Sequence, residues 1–295
     1  MAHPAQALQI PRPAALTPVP EFICAEIWGG NRPVDAPIDL PGLRGWLFSH
    51  PCDGGRGGDI HYISICSSAL ISRMCIADVA GHGAAISRVS EEIHRLLRRY
   101  MNNFDERRVL RDLNERLAAG GNGTMTTAVT ASYFPPLRSL TLSYAGHPPA
   151  WFYTRSLDAW TRLPPWSAEH HDRHLLDLPL AVDIHTLYTR RKVRVHYGDR
   201  LLIVTDGVLE APDPAGRLYG DARLEQLLAD ERHTEVGSLA TRIVKSVVAH
   251  TRDPNLPHDD VTLLLLEITR GPRAFGVWHM MKNRLLGRRP RTHRQ

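Results

Sequence analysis

Residues 72–100 read SRMCIADVAGHGAAISRVSEEIHRLLRRY, and a change of rhythm inside them decides the fold class. Ser72 to Ala77 is short, with Met74, Cys75 and Ile76 forming an apolar run suited to a buried strand. After the glycines, Ile86, Val89, Ile93, Leu96, Leu97 and Tyr100 recur at spacings of three and four. That is the stripe of an amphipathic helix, and Arg88, Arg95, Arg98 and Arg99 fall mainly on its wet side. A strand ending at Asp78 therefore passes into a helix.

Working outward, the pattern of elements begins near Gly45, and Ile60 to Ile65 reads as a strand bounded by glycines. Downstream, Asp105 is placed to cap a second helix with the stripe Val109, Leu110, Leu113 and Leu117, stopped by Gly120 and Gly121. Thr124 to Phe134, the Pro135-Pro136 turn and Ser139 to Ala145 read as a hairpin, followed by a strand at Ala150 to Tyr153. Residues 155–190 read as loop. Lys192 to His196 and Arg200 to Thr205 read as strands, Asp221 to Ala229 and Val236 to Ala249 as helices, and Val261 to Ile268 as a central strand. The order is strands, two helices, strands, two helices, final strand. This is not βαβ alternation, and it predicts an α+β sandwich with helices segregated against antiparallel sheets.

The chain has 295 residues, 43% of them hydrophobic, which supports a sizeable core and excludes wholesale disorder. Its net charge is +5 and its pI about 9.2, a balance that raises the question of nucleic acid. Seven Lys and Arg fall in residues 271–295 with no Asp or Glu, which leaves residues 1–270 at −2. No nucleic-acid partner is expected of a body without a basic stripe. The tail interleaves Phe275, Val277, Trp278, Met281, Leu285 and Leu286 with its charges. It suits docking on a partner or an anionic membrane surface, and equally a solvated terminus. The first 20 residues hold five prolines and no signal-peptide core, and no run of 18 apolar residues exists. A cytoplasmic chain is expected, with Cys24, Cys52, Cys66 and Cys75 reduced. Three segments follow: a Pro-rich leader at 1–42, a domain at 43–268 and a basic tail at 269–295.

Four aspartates sit at strand ends. Asp59 follows Gly57-Gly58 and opens a strand, Asp78 ends one, Asp206 ends another before Gly207, and Asp259, beside Asp260, precedes the last. A carboxylate at the end of a buried strand is costly unless something positive meets it, and no lysine or arginine adjoins any of the four in sequence. Each alone fits turn chemistry. Together they suit a hard cation such as Mg²⁺ or Mn²⁺, which takes oxygen ligands.

The motifs around these aspartates resemble the bacterial metal-dependent serine/threonine protein phosphatases of the SpoIIE/RsbU branch (PPM-type). The resemblance runs through Gly57-Gly58-Asp59, Ile76-Ala77-Asp78-Val79-Ala80-Gly81-His82-Gly83, Met125-Thr126-Thr127-Ala128, Tyr144-Ala145-Gly146-His147-Pro148-Pro149, Thr205-Asp206-Gly207-Val208-Leu209-Glu210-Ala211, Arg217-Leu218-Tyr219-Gly220 and His258-Asp259-Asp260-Val261-Thr262. It implies a four-layer αββα sandwich, two antiparallel sheets flanked by helix pairs, with two Mn²⁺ or Mg²⁺ ions between the sheets. Carried over by motif, Asp78 bridges both metals, the Val79 carbonyl binds one, Asp206 and Asp259 hold the other, and Asp59 binds directly or through water. Asp78, Asp206 and Asp259 are then the catalytic set, and a hydroxide between the metals attacks phosphoserine or phosphothreonine.

The resemblance further implies partner-switching signalling in sigma factor regulation, with a phosphorylated STAS-domain anti-sigma-factor antagonist as substrate. Only about 40 residues precede the domain, so any regulator is expected to be a separate chain. The competing reading is a catalytically silent scaffold of the same fold. Two histidines, His82 and His147, are candidates for proton transfer or for fixing loops. His170, His171, His174 and Asp172 read as a solvated loop with a His-x-x-His spacing that also suits metal. Where the family often has G-x-PLG-V, this chain has Asp177-Leu178-Pro179-Leu180-Ala181-Val182, two glycines fewer.

Overall fold

Every residue from Val261 to Ile268 is buried, so both faces of this strand are covered and it needs no polar alternation. The computed structural model describes residues 24–66, 70–81, 84–103, 105–120, 124–164 and 176–270. In chain order the elements are β1 (Cys24–Gly30), β2 (Val34–Leu40), β3 (Leu43–His50), β4 (Ile60–Cys66), β5 (Ser72–Val79), α1 (Ala84–Tyr100), α2 (Glu106–Ala119), β6 (Thr126–Phe134), β7 (Ser139–Ala145), β8 (Ala150–Thr154), β9 (Ala159–Leu163), β10 (Arg191–Arg194), β11 (Arg200–Val204), the single turn α3 (Asp206–Leu209), α4 (Gly220–Asp230), α5 (Val236–Thr251) and β12 (Val261–Ile268). They make two antiparallel six-stranded sheets, ordered β1-β4-β5-β6-β7-β10 and β2-β3-β12-β11-β8-β9.

Strand alternation sorts the side chains into three cores. Met74 and Ile76 of β5 meet Ile203 of β11 and Leu264 and Leu266 of β12 between the sheets. Cys75, Ala77 and Val79 point the other way, onto Ile93 and Leu97 of α1 and Val109, Leu110 and Leu113 of α2. Leu263 and Leu265 of β12 pack under Leu224 and Leu228 of α4 and Leu239, Ile243 and Val247 of α5. The result is the four-layer αββα sandwich. Truncating a fully buried Leu such as Leu265 to Ala is expected to cost about 2–5 kcal/mol. The expected cap is in place: the Asp105 carboxylate accepts the Arg107 N–H at 3.1 Å.

Two expectations are corrected. The leader does not extend to residue 42, because β1 pairs with β4 and β2 with β3, so the fold has begun by Cys24. Pro37 within β2 is accommodated because β2 is the outer strand of its sheet, where a missing N–H is tolerated. The stretch read as loop from 155 also contains β9, folded back on β8 through a turn at Arg155–Asp158. Its Trp160 and Arg162 stand opposite Tyr153 and Trp151, a pairing visible only once the hairpin closes. The histidine cluster at 170–174 and the basic tail lie outside the described residues.

Candidate active site

The four aspartates come together because two strand ends from each sheet finish at the same place. In the first sheet Ile60 pairs with Ala77 and Asp78 with Thr127, so Asp59 stands at the mouth of β4 beside Asp78. In the second, Val204 pairs with Leu263, which brings Thr205-Asp206 at the end of β11 against Asp259-Asp260 at the start of β12. The Thr205 N–H donates to Thr262 O at 3.0 Å, and the Thr205 hydroxyl donates across the gap between sheets to Asp59 Oδ2 at 2.9 Å. Asp206 itself opens the turn α3.

Glycines let the backbones approach this closely. A Cβ at Gly207 would stand 1.9 Å from the Asp260 carbonyl oxygen, and one at Gly58 would stand 2.7 Å from the Val79 carbonyl oxygen. The carbonyl assigned to a metal thus lies against the Gly58-Asp59 ribbon. That ribbon is braced from outside: Asn31 Nδ2 donates to Gly57 O at 3.0 Å, and Ser90 Oγ of α1 donates to Gly58 O at 3.0 Å. Asn31 lies in the segment expected to be leader, and it helps set the site.

Asp260 takes a role that sequence reasoning did not give it. Its buried carboxylate accepts the Cys52 N–H at 2.8 Å, the Asp59 N–H at 3.1 Å and the Gly58 N–H. It therefore fixes the peptide that carries Asp59. The doubled acid at Asp259-Asp260 was the available signal, but which of the two faces the backbone depends on the closed sandwich. His258 adds a bond of 2.8 Å to Gly207 O, tying the two motifs of the second sheet together.

The electrostatics are those of acids crowded without a counter-charge. Burial, then Asp78, holds the Asp59 carboxyl well above the usual carboxylate range. Burial, then Asp206 and Asp259, pushes Asp78 up to about 8. Burial raises Asp206, and burial with Asp206 nearby raises Asp259. No lysine or arginine among the described residues forms an ion pair with any of the four. Asp59 Oδ1 is buried with no hydrogen-bond partner. Carboxylate and carbonyl oxygens, mutual repulsion and one orphaned oxygen are the donor set a hard divalent cation satisfies. Among the described residues no three His, Cys, Asp or Glu side chains are already grouped closely enough to hold a metal ion.

The two candidate histidines separate. His82 lies outside the described residues. His147 is buried, its Nδ1–H donates to Pro148 O at 2.9 Å, and burial lowers its pKa to about 4. A ring neutral at physiological pH is not a general acid there; it locks the Gly146–Pro148 turn. In the neighbouring loop, at the two positions where the family often has glycine, Asp177 and Ala181 adopt positive φ of 54° and 65°. The Asp177 carboxylate compensates by accepting the Thr189 N–H and hydroxyl, each at 2.6 Å.

An αββα sandwich with its acidic strand ends gathered at one edge of both sheets is the architecture of the PPM-type protein phosphatases. The fold is similar to that of the RsbU and RsbW domains of a Mycobacterium tuberculosis protein, at 20% identity and a TM-score of 0.66, covering 87% of this chain and 71% of that one. It is similar to the PP2C phosphatase domain and regulatory fragment of the cell fate determinant SpoIIE from Bacillus subtilis, at 18% identity and a TM-score of 0.62, covering 79% and 64%. RsbX, whose structure is a complex with magnesium, matches at 16% identity and a TM-score of 0.56, covering 80% and 100%. Comparison with curated proteins gives no significant match. The Stage II sporulation protein E (SpoIIE) family matches residues 72–269, and the chain belongs to that family, the SpoIIE/RsbU branch of bacterial metal-dependent protein serine/threonine phosphatases.

Proposed function

We propose that this chain removes phosphate from phosphoserine or phosphothreonine in a protein, with Asp59, Asp78, Asp206, Asp259 and the Val79 carbonyl holding two Mn²⁺ or Mg²⁺ ions. The observation that carries this reading is the convergence of four unpaired carboxylates from both sheets, with Asp59 Oδ1 buried and unpartnered. When bound, the cations supply an activated water and neutralise charge on the phosphoryl group. The protein's own part is positional. Asp260 and Thr205 fix Asp59 from the second sheet, the β5–β6 pairing fixes Asp78, and the Thr205–Thr262 bonds fix Asp206 and Asp259 relative to each other. None of these contacts needs to form during the reaction, which is how a preorganised site lowers a barrier.

A STAS-domain anti-sigma-factor antagonist phosphorylated on serine is the substrate this reading favours, within partner-switching signalling. Family membership supports this choice. Among the described residues no helix is long and apolar enough to cross a membrane, which is compatible with a substrate in the cytoplasm. The test is hydrolysis of p-nitrophenyl phosphate and of such a phosphoprotein with and without Mn²⁺, in wild type and Asp78→Asn. Metal-dependent turnover that Asp78→Asn abolishes is expected. A response indifferent to metal would favour the scaffold reading, and wild-type turnover by the variant would remove the site assignment.

A further inference from the structure

Beside the acids, the chain displays apolar side chains to solvent on a backbone that is firmly held. Among the described residues nine large hydrophobic side chains are exposed, and four of them, Met125, Val182, Ile184 and Leu187, belong to one small assembly. Their exposures are 45%, 52%, 48% and 47%. Scattered apolar residues on a surface need no explanation, but a concentration at one place marks an interaction site.

The backbone shows why they share a place, and why it is next to the site. Ala80, two residues after Asp78, donates its N–H to Met125 O at 3.0 Å. Thr126, the next residue, exchanges two backbone bonds with Leu180, at 3.3 and 2.8 Å. From there the ribbon runs through Val182 and Ile184 and returns at Leu187, whose carbonyl accepts the Asp177 N–H at 2.9 Å. Asn114 of α2 clamps it from below, accepting the Ala181 N–H at 2.8 Å and donating to Asp183 O at 2.9 Å. The ribbon is also held at positive φ by two residues that are not glycine, Asp177 and Ala181. Non-glycine residues keep that conformation only where the surroundings over-determine it, and such positions gather at binding surfaces. Neighbouring strands lie about 4.8 Å apart, so the ribbon stands only two or three strand widths from Asp78.

We propose that this ribbon is the specificity surface of the enzyme, and that it recognises apolar side chains flanking the phosphorylated serine or threonine of the protein substrate. The inference rests on the phosphatase reading and extends it to the choice of substrate. A phosphoresidue that reaches Asp78 must lay its neighbouring residues over the adjacent surface. There it meets aliphatic side chains that gain by leaving water.

The experiment compares two synthetic phosphoserine peptides of equal length and charge, one flanked by Leu and Val and the other by Ser and Gly, alongside p-nitrophenyl phosphate. Wild type with Mn²⁺ is expected to favour the apolar-flanked peptide by about tenfold or more in kcat/KM, the discrimination that one or two methylene groups provide. The triple variant Val182→Ser, Ile184→Ser, Leu187→Ser is expected to lose that preference while p-nitrophenyl phosphate hydrolysis stays within about twofold. The single variants Val182→Ser and Leu187→Ser provide the same readout if the triple variant fails to fold. Equal turnover of the two peptides by wild type overturns the inference and leaves the phosphatase reading standing. So does a preference that survives in the variants, or a parallel fall on the small ester. No hydrolysis of any of the three by wild type refutes the phosphatase reading, and the specificity surface with it.

Discussion

The metal-free protein is expected to become less stable as pH rises, and Asp78 is the residue to change. Its carboxyl titrates near 8 in the folded chain, against an ordinary value of 3.8, because it is buried and faces Asp206 and Asp259. A carboxyl whose folded pKa is raised favours the protonated folded state. Its contribution is fully present below 3.8 and is lost progressively as pH rises toward 8. One pKa unit corresponds to about 1.36 kcal/mol, so moving from pH 6 to pH 8 removes about 2–3 kcal/mol through this group alone. For a domain of this size that is a fall in Tm of roughly 5–10 °C. The assay is thermal unfolding in a chelating buffer at closely spaced pH values, repeated with excess Mn²⁺. Asp78→Asn, which keeps the shape and removes the charge, is expected to flatten the metal-free profile and raise Tm at pH 8. Mn²⁺ is expected to reverse the pH trend in wild type, because ligation selects the ionised carboxylates, and to stabilise the variant far less. A variant less stable than wild type at pH 8 without metal would refute the crowding argument. Equal stabilisation of both proteins by Mn²⁺ would refute Asp78 as a ligand.

Two other outcomes follow from the geometry. Asp260→Ala leaves the buried N–H groups of Cys52, Gly58 and Asp59 without their acceptor, and is expected to cost about 3–5 kcal/mol in urea unfolding and to abolish metal-dependent hydrolysis; unchanged activity would show that the Asp59 ribbon is held by other contacts. Ala181→Gly relieves a residue held at φ 65° and is expected to raise stability by about 0.5–1 kcal/mol, read from the urea midpoint, with a loss of stability counting against strain at this position.

How much of this was legible in the residues follows from the range of each interaction. The helix stripe from Ile86 to Tyr100, the Asp105 cap and the fully apolar strand from Val261 to Ile268 rest on neighbours a few positions away, and the chain folds there as its spacing predicts. The strands β1, β2 and β9 were missed because their justification is a partner. Val34–Leu40 carries a proline that only an edge position accepts, and Ala159–Leu163 is too short to declare itself. The shape of the Asp177–Ala181 loop was likewise hidden. Nothing local announces that two non-glycine residues will keep a glycine's backbone; the bonds from Thr189 and Asn114 impose it.

The placing of the two long helix pairs among the strands and the identity of four strand-end aspartates were determined by the sequence itself, because helical periodicity and a carboxylate beside glycine at the end of an apolar run are conspicuous in one dimension. Their assembly was decided by the tertiary structure. The Thr205 hydroxyl reaches Asp59 across 146 residues of chain, and Asp260 reaches the Gly58 and Asp59 N–H groups across about 200. Asp259 and Asp260 are adjacent and chemically identical, yet Asp259 lies with the crowded acids and Asp260 is consumed by backbone donors. Only closure of the sandwich separates them, since the donors that Asp260 meets, the N–H groups of Cys52, Gly58 and Asp59, reach it from segments about 200 residues away in the chain.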